Sequence, residues 1–136
     1  MAGYSGTPLP KKLGIKPGHR IKTMAAPSHY LDLLQPIPAD VLISARLTGD
    51  VDMIHLFVLQ QAGLADCLRA SMQQIREAGA IWVSWPKKAS GVTTDMTEDE
   101  VRRSALPLGL VDVKVCAVDE IWSGLKLVIR KENRQP

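Results

Sequence analysis

Apolar residues recur along this chain at two spacings, and the switches between them mark out its elements. In residues 111–118, Val-Asp-Val-Lys-Val-Cys-Ala-Val, apolar and polar positions alternate, and Leu125, Leu127 and Ile129 repeat that alternation. A period of two places one set on one face of a pleated strand, so these segments predict an antiparallel hairpin that turns across residues 119–124. Residues 62–78 shift to helical spacing. Leu64, Cys67, Leu68, Ser71 and Ile75 form one stripe, Arg69, Gln73 and Arg76 face outward, and Gly79 follows as a stop. Residues 52–59 and 80–85 are apolar on both faces, as central strands covered by helices on both sides must be. In the second of these, Ile81, Val83 and Trp85 should face one side, Trp82 and Ser84 the other.

Turn chemistry supplies the remaining boundaries. Thr7-Pro8 reads as an N-cap with a first-turn proline, and Gly14 as the left-handed stop of a short helix. Leu9, Leu13 and Ile15 give that helix an apolar side, so it should lie as a lid on the body. Lys16-Pro17-Gly18 is a turn, residues 19–26 read as a first strand, and Ser28 can cap a helix through Leu34 that Pro36 and Pro38 close. Residues 41–46 form a second strand. The link from there to the third, residues 47–51, is too short for a helical crossover, which leaves an extended strap or an antiparallel hairpin around Gly49-Asp50. Thr97-Glu98-Asp99-Glu100 has the form of a capping box, with Val101, Ala105 and Leu108 as the packing stripe and Pro107 as the break. Its acids suit the positive end of a helix, which accounts for Asp95, Glu98 and Asp99 without a metal. His55, in mid-strand, reads as a hydrogen-bonded core histidine rather than a catalytic one. Residues 1–6 and 132–136 are polar ends expected to fray.

This order predicts one α/β domain over residues 1–136, with residues 1–18 as an arm carrying the short helix. It is a three-layer, Rossmann-like sandwich whose mostly parallel sheet ends in an antiparallel hairpin. Parallel strands joined this way finish at one edge, where such folds bind ligands. The stretch Trp85-Pro86-Lys87-Lys88 leaves the central strand at that edge. Ser28 and His29 follow the first strand there, Gln60 and Gln61 follow the third, and the hairpin turn brings Asp119, Glu120, Ile121, Trp122 and Ser123. Ser28, His29, Trp85, Lys87, Lys88, Asp119, Glu120, Trp122 and Ser123 are the candidate binding residues. The alternative is that Lys87 and Lys88 merely pair with Asp119 or Glu120, and that the tryptophans are core.

Composition narrows the function classes. At 136 residues with 46% hydrophobic and 23% charged content, the chain can bury roughly two-thirds of its unfolded surface and is not disordered as a whole. Its net charge of +3 is unevenly placed: Lys11, Lys12, Lys16, Arg20 and Lys22 all precede the first acid, Asp32. With two Tyr, one Phe and three Trp, aromatic and basic residues do not interleave as base-stacking proteins require, so nucleic acid is not an expected partner. Cys67 and Cys116 stand apart, without ligand-spaced companions, and read as reduced core thiols of a cytoplasmic protein. No apolar run approaches the roughly 20 residues that span a bilayer, and the start of the chain lacks the apolar core of a signal peptide.

Gly-Ile-Lys-Pro-Gly, Asp-Met-Ile-His-Leu-Phe-Val, Trp-Val-Ser-Trp-Pro-Lys-Lys, Leu-Gly-Leu-Val-Asp-Val-Lys and Trp-Ser-Gly-Leu-Lys-Leu-Val follow one another across nearly the whole chain. In this succession it resembles a bacterial family described only as a domain of unknown function. More distantly, its second half is similar to the end of class I S-adenosylmethionine-dependent methyltransferases: helix, strand opening after glycine, helix closing on Gly-Leu, and a final antiparallel hairpin. The resemblance implies a methyltransferase-type fold about a helix and a strand short. It departs at the cofactor, since Ala25-Ala26-Pro27 replaces the glycine loop and Ser44-Ala45-Arg46 stands where a ribose-binding acid would end the second strand. S-adenosylmethionine is therefore disfavoured, no other cofactor or metal is expected, and no catalytic residue is assigned. The leading expectation is a non-catalytic binding or regulatory module for a small anionic ligand or a protein. The alternatives are a reduced methyltransferase or other small transferase, and an oligomerisation or interaction domain anchored by Trp85 or Trp122.

Overall fold

A computed structural model describes residues 6–134. Its elements in chain order are α1 (Leu9–Leu13), β1 (Arg20–Met24), α2 (Tyr30–Leu33), β2 (Leu42–Ser44), β3 (Val51–Phe57), α3 (Leu64–Met72), β4 (Ile75–Pro86), α4 (Glu98–Ala105), β5 (Leu110–Ala117) and β6 (Trp122–Ile129). The strands form one six-stranded sheet in the order β2-β1-β3-β4-β6-β5. β2, β1, β3 and β4 are parallel, while β6 runs antiparallel to both β4 and β5. The terminal hairpin is thus confirmed, and its second strand is inserted beside β4.

Each face of the sheet carries its own core, as the doubly apolar β3 and β4 require. On one side α3 and α4 pack Leu64, Leu68, Val101 and Ala105 against Ile54, Leu56, Ile81, Val83, Trp85, Leu125 and Leu127. On the other, α1 and α2 bring Leu9, Leu13, Tyr30 and Leu34 onto Ile21, Met53, Phe57 and Trp82. Trp82 is fully buried there, and its indole N–H donates to the Leu13 carbonyl at 3.1 Å. Burying a leucine such as Leu9 or Leu13 contributes about 1.5–3 kcal/mol, so the lid formed by α1 is integral to the second layer.

Several boundaries differ from the sequence expectation. α1 begins one residue late, with Pro8 rather than Thr7 at its N-cap, while Gly14 takes the left-handed stop at φ 82. Ser28 caps nothing: α2 starts at Tyr30, whose N–H goes to the Pro27 carbonyl. The link after β2 is the strap, not the hairpin. β2 and β3 lie on opposite sides of β1, both parallel to it, and the Lys22 ammonium holds the strap by donating to the Leu47 carbonyl at 2.7 Å. Because β2 is only three residues long, the chain has little height to regain before β3.

The largest correction concerns residues 75–79. α3 stops at Met72, and Ile75, which shares its apolar stripe, already pairs with Val51 in the sheet. Helix and strand both aim these side chains into one core, so the stripe runs unbroken across the boundary. Gly79 is not a helix stop. β4 advances from Ile75 to Ala80 while β3 advances only from Val51 to Met53, and the bulged backbone presses so close that a Cβ on Gly79 would stand 2.8 Å from the Asp52 carbonyl. In the box at α4, Thr97 Oγ accepts from the Glu100 N–H at 3.1 Å, but the Glu100 carboxylate turns to Arg103 instead of reaching back. Arg102 ties α4 to β5 through Asp112, while Glu98, one turn earlier on α4, also engages it. The tail is ordered further than expected: Lys131–Asn133 is a 3₁₀ turn, and Arg134 Nε donates to the Ile129 carbonyl at 2.9 Å. The expectations for residues 1–5 and 135–136 lie outside the described residues.

Candidate functional site

The carboxyl ends of β1, β3 and β4 meet the start of β6 at one edge, and the link between β5 and β6 folds back over it. Asp119 is the pivot. Its Oδ1 accepts from the backbone N–H groups of Ile121 at 2.8 Å and Trp122 at 2.7 Å, an Asx turn that shapes the hairpin. Its Oδ2 lies 2.9 Å from His29 Nε2 on the loop after β1. Lys87, just past β4, donates its ammonium to the Asp119 carbonyl at 2.7 Å and its backbone N–H to the Ile121 carbonyl at 2.7 Å. Burial alone would raise the Asp119 pKa, but the His29 ring and the Trp122 and Ile121 N–H groups hold it below the usual carboxylate value.

Of the nine candidate residues, His29, Lys87, Asp119 and Trp122 therefore come together through direct bonds. Lys87 pairs with a carbonyl rather than a carboxylate. Lys88 and Glu120 are exposed, and among the described residues neither side chain makes a hydrogen bond or ion pair. Ser28 is exposed beside His29. Trp85 is 7% exposed and belongs to the core below α4, while Trp122 sets its ring edge-on against Phe57 at 5.0 Å. An anchoring role for Trp85 on a partner surface is excluded by that burial.

Beside the clamp lies a cleft of about 470 Å³ lined by Trp85, Pro86, Lys87, Lys88, Ser123 and residues 94–98. The loop before α4 forms its far wall. Thr94 Oγ donates to the Leu59 carbonyl at 2.5 Å and accepts from the Met96 N–H at 3.0 Å, which fixes the loop over the end of β3. Asp95 Oδ1 accepts the Gln61 N–H at 2.8 Å, and Glu98 is engaged by Arg102. Gln60 lines a neighbouring depression across that loop, so the residues after β3 do not share the cleft. Sequence reasoning missed the wall formed by Thr94, Asp95 and Met96. Its only signal was the position of a polar loop between β4 and a capped helix.

Deeper, Tyr30 Oη lies 2.8 Å from His55 Nδ1, and His55 Nε2 lies 2.7 Å from Ser84 Oγ. His55 is fully buried, and desolvation lowers its pKa to about 3, so it is neutral; burial likewise pushes the Tyr30 phenol up. This chain joins α2, β3 and β4 beneath the edge. His55 is thus a buried, hydrogen-bonded core histidine, as expected for its mid-strand position. Among the described residues no cluster of His, Cys, Asp or Glu could hold a metal ion, and no helix is long and apolar enough to cross a membrane.

The family model described as "Protein of unknown function (DUF3052)" matches residues 33–131. No curated protein matches the chain. Among solved structures, a Sulfolobus solfataricus protein assigned to the type 11 methyltransferases superposes with a TM-score of 0.67 at 12% identity, over 94% of this chain and 93% of its own. A ribosomal protein L11 methylase from Lactobacillus delbrueckii subsp. bulgaricus gives 0.58 at 11% identity, over 90% of this chain and 75% of its own. Fibrillarin from Aeropyrum pernix, solved with natively bound S-adenosyl-L-methionine, gives 0.57 at 17% identity, over 93% of this chain and 70% of its own. At these identities the likeness shows the fold: α/β, Rossmann-like, of the methyltransferase type.

Proposed function

The chain belongs to the family of that model, and from this premise we propose that it is a non-catalytic binding module taking a small amphipathic anion in the cleft between residues 85–88 and 94–98. The observation that carries this reading is the Lys88 ammonium, which lines the cleft without a partner among the described residues. Asp95 and Glu98 are already engaged by Gln61 and Arg102. A ligand anion would supply what Lys88 lacks, and Ser123 Oγ adds a hydroxyl that makes no other hydrogen bond. Trp85, Pro86 and Met96 offer an apolar floor for the rest of the molecule.

The residues at the end of β1 and β2 do not fit S-adenosylmethionine. Ala25 keeps a left-handed bend, φ 58, but its methyl group crowds the approach that glycine would leave open, and Pro27 lacks an N–H. β2 ends at Ser44, whose hydroxyl accepts the Arg46 N–H, so the carboxylate that would bind a ribose is missing. His29, meanwhile, is held by Asp119. These features support the binding-module reading over a reduced methyltransferase. The free thiols of Cys67 and Cys116, both half-buried, support a reducing compartment such as the cytoplasm.

Isothermal titration with S-adenosylmethionine should show no binding, while the amphipathic anion anilinonaphthalene sulfonate should bind the folded protein and lose affinity about tenfold in Lys88→Ala. Micromolar S-adenosylmethionine binding would reinstate the methyltransferase reading, and probe binding unchanged in Lys88→Ala would remove the anion site. Native mass spectrometry of gently purified protein would identify a retained ligand directly.

A further inference from the structure

The opposite edge of the sheet carries a second cleft of about 410 Å³, where the amino ends of β1, β3 and β4 meet the last turn of α1. Lys16, His19, Arg76 and Lys126 line it, and its floor is largely backbone, from Gly14 and residues 78–80. Lys126 is the unusual member. It stands directly across β6 and β5 from Lys114, and like charges placed opposite one another in an antiparallel pair oppose folding. Lys114 has a partner, donating to the Lys12 carbonyl at 2.9 Å near the end of α1. Among the described residues, the side chains of Lys126 and Lys16 have no hydrogen-bond acceptor or carboxylate partner.

The one acid in the cleft cannot serve them. Asp52 Oδ2 accepts the Arg20 N–H at 2.8 Å, and Oδ1 faces Arg76 Nε at 3.4 Å. Arg76 and Asp52 therefore offset each other, which leaves the two lysines as an uncompensated double positive charge. Burial, with repulsion from Lys114 and Lys16, holds the Lys126 pKa below the usual lysine value. His19 adds a neutral donor: its Nδ1 accepts the Lys16 N–H at 3.1 Å, so Nε2 carries the proton.

We infer that this cleft is a binding site for a doubly charged phosphate group, with Lys16 and Lys126 as its cationic ligands. A dianion matches the uncompensated charge, and it would relieve the repulsion that the folded chain otherwise carries. The Lys126 ammonium lies against the Gly14 backbone, where an added Cβ would stand 3.4 Å from Nζ, so the glycine lets the cation reach the cleft. The site is separate from the Lys88 cleft and does not depend on it.

Phosphorus NMR and thermal unfolding, with inorganic phosphate and glycerol phosphate against chloride at matched ionic strength, test this. Both phosphates should bind and raise Tm. Lys126→Met should raise Tm in chloride, because it removes the repulsion while keeping most of the apolar stem, yet weaken phosphate binding about tenfold or more. Lys16→Met should weaken binding in the same direction. Tighter binding of the ester would assign the site to a phosphorylated metabolite, and equal binding to the phosphate alone. Phosphate binding that survives both Lys126→Met and Lys16→Met, or a Tm rise that chloride matches, overturns the proposal.

Discussion

Ala25 shows how a single position records both the fold and its departure from methyltransferases. The chain must bend sharply after β1, and it does so at φ 58, a conformation that costs an L-residue about 1–2 kcal/mol. Its side chain is exposed, so packing gives nothing back. Ala25→Gly should therefore stabilise the protein by up to about 1 kcal/mol, the relieved strain less the entropy that glycine loses on folding. A denaturant midpoint unchanged or lowered would show that the bend is not strained. Asp119 is the opposite case, a residue whose carboxylate oxygens are both satisfied, Oδ1 by the local turn and Oδ2 by His29. Its aspartate-turn chemistry was readable from the sequence. That His29 and Lys87 would both reach it was not, because those contacts span 90 and 32 residues.

Among the elements, β4 changes most between sequence and structure. Its apolar core at residues 80–85 is evident from composition, yet the strand begins at Ile75, because parallel pairing to Val51 extends it below the visible run. Periodicity could not find that boundary, since Ile75 faces the same core whichever element holds it. The bulge at residues 76–79 also brings Arg76 to Asp52 and so builds one wall of the amino-edge cleft. Gly79→Ala should cost about 1–3 kcal/mol, because its Cβ would sit 2.8 Å from the Asp52 carbonyl and 3.0 Å from that of Arg76, both backbone atoms with little freedom to yield. Equilibrium urea unfolding measures this. A loss below a few tenths of a kcal/mol would mean that the bulge relaxes easily.

For the molecule as a whole, acid should act through the chain Tyr30, His55, Ser84 that links α2 to the sheet. Folded His55 titrates at about 3 against 6.5 for the free group, so below the higher value the unfolded chain binds the proton first and stability falls as pH drops toward 3. Asp119, whose pKa is depressed by folding, adds a further loss once pH falls below the ordinary carboxylate range. The urea midpoint should decline steadily from about pH 6.5 to about pH 4, and His55→Gln should flatten that limb. A wild-type midpoint constant over this range would mean that His55 protonates without unfolding the protein. The sequence by itself determined the layered α/β architecture, the doubly covered central strands, the terminal hairpin and the edge at which β4 opens, because periodicity and turn chemistry are local and each residue reports its own face. Only the tertiary structure decided that the short link is a strap past β1, that Trp85 is core, and that Lys87 is engaged by Asp119 while Lys88 is not. It alone gathered Lys16, Lys126 and Arg76 at the far edge. Those outcomes depend on strand order and register, which join residues far apart in sequence and leave no local pattern to read.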